Sequence, residues 1–246
     1  MSNPAITTRF IILSAQRSGS TALTSALHSH PDVYCHGNPF YQSAQRIAAL
    51  RPEARAAMDY TERANDPVRY AYRVLNFTPG PPVVGFKIWP HSDEDTGPRQ
   101  AIDAICADPT VKKIILHRSN ELACHSSEVL ANLKRNDPDA FGGDGPRPQA
   151  RFYKMGFLKF FNRRKGWFDH YRKSTEDDTL EVPYVGLMDT SIGRISDALG
   201  LASHAFQARN AKRNSNDILN RYLPEDHDKI MRTLDEIGHP EWVTEA

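Results

Sequence analysis

Four short runs of the chain are almost wholly apolar: RFIIL (9–13), VVGFKI (83–88), KKIILH (112–117) and TLEVPY (179–184). Near-continuous apolarity over five or six residues predicts strands covered on both faces, as in a parallel sheet. Between them the period changes. Ala22, Leu23, Ala26 and Leu27 form a helical stripe after the first run. Leu122, Ala123, Val129, Leu130 and Leu133 do so after the third, and Ile192, Ile195, Leu199 and Leu201 after the fourth. Strands alternating with amphipathic helices predict an α/β fold of three layers, a central parallel sheet flanked by helices, as a single domain over residues 1–246. Ligands of such sheets gather at the carboxyl edge of the strands.

Two segments break this pattern. YTERANDPVRYAYRVLNFTPGPP (60–82) reads as irregular and ends in a proline-rich turn. KRNDPDAFGGDGPRPQARF (134–152) is dense in Gly and Pro, and reads as a loop of the length used for lids or substrate contacts.

Composition narrows the function classes. The 246 residues carry a formal net charge of +1, which gives no bulk reason to expect nucleic acid or an anionic membrane as partner. Mean hydropathy is −0.57, and no apolar run reaches the 18 residues of a membrane-spanning helix. The start of the chain lacks the basic-then-apolar pattern of a secretory signal. The three cysteines, Cys35, Cys106 and Cys124, form no CxxC pair, so a cytoplasmic setting with reduced thiols is expected. His28, His30, Cys35 and His36 crowd together, but no second cluster stands at ligand spacing, and no metal is expected.

The chemistry concentrates in FIILSAQRSGSTALTSAL (10–27), a strand, a glycine-containing turn and a helix. Against the nucleotide-triphosphate loop G-x-x-x-x-G-K-[ST], Ser14 replaces the first glycine, Gly19 keeps the second, Ser20 replaces the lysine and Thr21 keeps the hydroxyl. The backbone device survives: a tight turn with helix N–H groups aimed at an anion. The cation has moved forward to Arg17. A magnesium-held triphosphate also needs a carboxylate behind the loop. The second and third apolar runs end instead in Lys87 and in His117–Arg118. A P-loop-like fold whose ligand is neutralised by protein cations is the consequence.

At this point the sequence resembles a family. SAQRSGSTALTSAL is similar to the 5′-phosphosulfate loop of sulfotransferases that use 3′-phosphoadenosine 5′-phosphosulfate (PAPS), and ILHRSNELACHSS is similar to their 3′-phosphate site. The resemblance implies that Arg17, Ser18, Gly19, Ser20 and Thr21 hold the 5′-phosphate and the sulfuryl group. It implies that Arg118 and Ser126, eight residues apart, hold the 3′-phosphate, with Asn120 starting the intervening helix. Lys87 resembles the family lysine near the reaction centre. Tyr184 matches a tyrosine near the adenine, although Val185 and Gly186 follow it where the family commonly has Glu-Asp. Lys212 and Arg213 match a basic segment that closes over the cofactor. The implied protein is a PAPS-dependent enzyme without metal, acting on a small-molecule, sugar or glycolipid hydroxyl and compatible with a homodimer.

Departures from the pattern fall on the base. In HPDVYCHGNPF, Asn38 stands where some bacterial relatives have glutamate, and Trp89 stands where others have histidine. Asparagine cannot accept a proton at neutral pH. Three readings stay open: a histidine base, His36 first and His91 second; an acceptor that needs little help; or a protein that binds the nucleotide without transfer. A nucleotide kinase with an unusual loop is the alternative outside the family, and it requires magnesium-dependent ATP binding.

Overall fold

The computed structural model describes residues 6–41, 58, 60–77, 81–90, 96–137, 148–175, 179–208 and 215–245. They group into two compact units, one built from 1–117 and 168–211, the other from 118–167 and 212–246.

The first unit holds one parallel sheet of five strands: β1 (Thr8–Leu13), β2 (Val33–His36), β3 (Val83–Ile88), β4 (Val111–His117) and β5 (Thr179–Pro183), in the order β2-β3-β1-β4-β5. The four apolar runs became β1, β3, β4 and β5. Pairing is in register along β1, with Phe10 opposite Gly85, Ile12 opposite Lys87, and Leu13 opposite Ile115. Alternation sends Phe10 and Ile12 to one face, where they meet Leu23, Ala26 and Leu27 of α1 (Ser20–Leu27). Ile192 and Ile195 of a later helix, Ile192–Ala198, join the same core.

Residues 60–77 are helical rather than irregular. Helix α2 (Tyr60–Asn65) is followed by α3 (Pro67–Leu75). Asp66 accepts a hydrogen bond from the Arg69 N–H at 2.9 Å, and Pro67 occupies the first turn, where its missing donor costs nothing. Tyr70, Ala71, Val74 and Leu75 then bury one stripe, and α3 packs on β3. Helix α4 (Thr96–Cys106) packs on β4. The three cysteines are free thiols, all buried.

The second unit is helical. It holds α5 (Glu121–Asn136), the part of α6 (Lys154–Ser174) up to Trp167, and α8 (His227–Glu236); α7 is the helix Ile192–Ala198 of the first unit. Its core joins Leu122, Phe152, Phe157, Tyr222, Ile230 and Leu234. Inside it Arg164, fully buried, pairs with Glu121 and lies 5.2 Å from the Phe160 ring. Such a pair holds only because each charge has its partner. Of the loop expected at 134–152, residues 134–136 are instead the last turn of α5, and 138–147 lie outside the described residues.

Candidate functional site

The segment between β1 and α1 has the backbone that anion loops require. Arg17 takes φ +64° and Gly19 φ +84°, two left-handed residues around Ser18. They make a tight turn in which the Ser18 N–H donates to the Ala15 carbonyl at 3.3 Å, and α1 starts at Ser20 with no side-chain cap on its first turn. Arg17 and Thr21 are exposed, while Ser18 and Ser20 are buried. The Tyr171 hydroxyl donates to the Ser14 carbonyl at 3.0 Å and anchors the entry of the loop.

Glycine at 19 is fixed by space as well as by φ. A Cβ there would come within 2.4 Å of Cδ2 of Tyr184, whose ring covers the turn. Tyr184 is held in turn by its N–H, which donates to the His117 carbonyl at 2.8 Å. The half-buried tyrosine assigned to the adenine is therefore a wall of the loop.

Lys87 reaches the same place from β3. Its Nζ donates to Thr21 Oγ1 at 2.7 Å and lies 5.2 Å from the Trp89 ring centre. Burial drags its pKa down from 10.5 to about 8, with the neighbouring Cys35 pulling the other way. The amine is still mostly charged at neutral pH, yet poorly hydrated, which sharpens its pull on a nearby anion. Cys35 itself is pushed up to about 12 by burial, so its thiol is no nucleophile. A cavity of about 260 Å³ opens beside Lys87, Thr21, Thr24, His28 and Cys35.

The two candidate bases fare differently. His36 ends β2 with 4% of its surface exposed, and burial lowers its pKa to about 4. A ring held neutral so firmly accepts protons poorly at pH 7, so burial takes away the precedence given to His36. His91 lies outside the described residues. Asn38 is also buried. Its Oδ1 accepts from the Phe40 N–H at 3.1 Å, which fixes the amide, and its Nδ2 has no partner among the described residues.

The second unit carries the residues assigned to the 3′-phosphate. Asn120 caps α5 as expected, accepting from the Ala123 N–H at 2.8 Å. Arg164 pairs with Glu121, whereas Arg118 pairs with Glu245. The Arg118 Nε donates to Oε1 of Glu245 at 2.7 Å and its Nη2 to Oε2, a forked and buried pair. Ser126 Oγ donates to the Ala123 carbonyl at 3.1 Å and accepts from Nη1 of Arg221 at 3.2 Å. Arg221 and Glu245 carry no local sequence signal; their partners lie 95 and 127 residues away. Lys212 and Arg213 lie outside the described residues. Among the described residues no group of three His, Cys, Asp or Glu is placed to hold a metal ion.

No family model matches the chain, and no curated protein matches it in sequence. Among solved structures it is similar to a sulfotransferase from Alicyclobacillus acidocaldarius, 15% identical over 96% of this chain and 98% of that one, with a TM-score of 0.49. It is similar to the sulfotransferase domain from the Synechococcus PCC 7002 olefin synthase, 19% identical over 98% and 89%, with a TM-score of 0.48. A mouse sulfotransferase complexed with PAP is 15% identical over 93% and 83%, with a TM-score of 0.42.

Proposed function

We propose that the protein is a PAPS-dependent sulfotransferase acting on a hydroxyl of a small-molecule, sugar or glycolipid acceptor. The observation that carries this is the pairing of a left-handed Arg17–Gly19 turn with Lys87 on Thr21 Oγ1. An anion loop with protein cations beside its hydroxyl suits a ligand that is neutralised without magnesium. Taken separately, the N–H groups that open α1 suit a 5′-phosphosulfate, and Arg118 of the second unit, now forked onto a carboxylate, suits a 3′-phosphate.

When bound, the cofactor supplies a sulfuryl group on a phosphate leaving group. Transfer would be direct and in line, the sulfuryl group leaving the bridging oxygen for the acceptor oxygen. Arg17 and Lys87 stabilise the charge that grows on the leaving oxygen. The acceptor proton goes to a base, a role that passes to His91 because burial makes His36 a weak base.

The test is calorimetric titration with the desulfated cofactor, 3′,5′-adenosine bisphosphate, with and without magnesium. Tight binding that ignores magnesium is expected; binding of ATP with magnesium, and not of the bisphosphate, would establish the kinase reading instead. A second reading is a binding protein that has lost transfer. Asn38 and the weakly basic His36 favour it, and turnover of PAPS against a panel of sugar and phenol acceptors separates the two.

A further inference from the structure

Arg118 is a fork already filled by an oxyanion. Glu245 meets it through both carboxylate oxygens, with the side chains of the pair 8% and 2% exposed. The carboxylate is held in place by its own segment. The Glu245 N–H donates to the Asn216 carbonyl at 2.9 Å, and Asn120 Nδ2 donates to the carbonyls of Trp242 and Thr244 at 3.0 and 2.8 Å. Asn120 is also the cap of α5, so the helix that carries Ser126 and the segment that carries Glu245 share one side chain. A planar carboxylate engages a guanidinium as a phosphate does, with two parallel N–H···O bonds. A second anion cannot take the same fork while Glu245 stays.

We propose that Glu245 is an internal latch on the 3′-phosphate subsite, and that a 3′-phosphorylated nucleotide must release it to bind. This rests on the PAPS reading above. The fraction of molecules with the latch open scales the apparent affinity, so the site discriminates against weak anions and takes only a ligand that repays the lost ion pair. The nucleotide lacking the 3′-phosphate has no such requirement.

Calorimetry of the wild type and of Glu245→Gln with 3′,5′-adenosine bisphosphate and with adenosine 5′-phosphate tests this. The variant keeps the shape of the side chain and loses its charge. At least about a tenfold gain in affinity for the bisphosphate is expected, with the monophosphate unchanged. Equal bisphosphate affinity in both proteins, or a loss, overturns the latch and leaves the sulfotransferase reading standing. No bisphosphate binding to either protein overturns both. Should Glu245→Gln fail to fold, hydrogen exchange of the wild type decides: the Glu245 amide exchanges faster with saturating bisphosphate if the latch opens, and an unchanged rate overturns it.

Discussion

The ammonium of Lys87 donates to the hydroxyl of Thr21 across 2.7 Å, joining the end of β3 to the first turn of α1. In a loop of the triphosphate type the corresponding hydroxyl serves a metal ion. Here a lysine from the neighbouring strand meets it, and burial is what gives that lysine its strength and its cost.

That cost is measurable. With a pKa held down from 10.5 to about 8, Lys87 takes about 3 kcal/mol from the folded state. The penalty is complete below pH 8, where both states are protonated. Stability recovers between pH 8 and 10.5, where the unfolded chain binds a proton that the native one has released. Lys87→Met is expected to stabilise the protein by about 1–3 kcal/mol at pH 7 in urea unfolding, because the lost bond to Thr21 offsets part of the gain. The gain shrinks above pH 8, and turnover is abolished.

Arg17 sits in the left-handed region, where a residue with a Cβ is strained. Arg17→Gly and Arg17→Ala are expected to lose turnover alike, by about 10²–10³-fold, if the guanidinium acts on the leaving oxygen. They are expected to differ in stability, with the glycine variant ahead by about 1 kcal/mol. Parallel kinetics and unfolding on the two variants separate backbone strain from charge.

At Gly19 an alanine meets both a φ of +84° and the Tyr184 ring at 2.4 Å. Gly19→Ala is expected to cost about 2–3 kcal/mol. Removing the ring with Tyr184→Ala should return the steric part and leave the strain, so thermal melts of the two single variants and the double variant will show positive coupling.

Acid should unfold the protein earlier than its carboxylates alone would dictate. His36 and His125 are both held neutral by burial, each at about 4 against an ordinary 6.5. As pH falls from 6.5 to 4 the unfolded chain gains protons that the native one refuses, and stability drops by up to about 3 kcal/mol for each ring. His36→Gln is expected to remove roughly half of this slope in urea titrations at several pH values. It should also retain transfer, whereas His91→Ala should lose it.

The strands were legible where burial on both faces made the sequence continuously apolar, as in FIIL and VVGF. β2 was not among the apolar runs: as an edge strand of four residues it mixes Val33 and Cys35 with Tyr34 and His36. The segment 60–82 reads as irregular until Tyr70, Ala71, Val74 and Leu75 are recognised as a stripe that the Asp66 cap serves. The strand, tight turn and helix at residues 10–27 are local and therefore readable in the sequence. The neutrality of His36, the Tyr184 wall and the Arg118–Glu245 fork depend on what distant segments bring, and no spacing rule reports that.

The chain enters each compact unit twice, and this has a consequence for synthesis. When the ribosome has made β4, its outer edge has no partner until Thr179–Pro183 emerges about 60 residues later, several seconds at ordinary elongation rates. The helices made in that interval await residues 212–246 to close their own core. Nascent chains therefore carry an open strand edge and a half-built helical core together, and neither unit can be cut out as one continuous fragment.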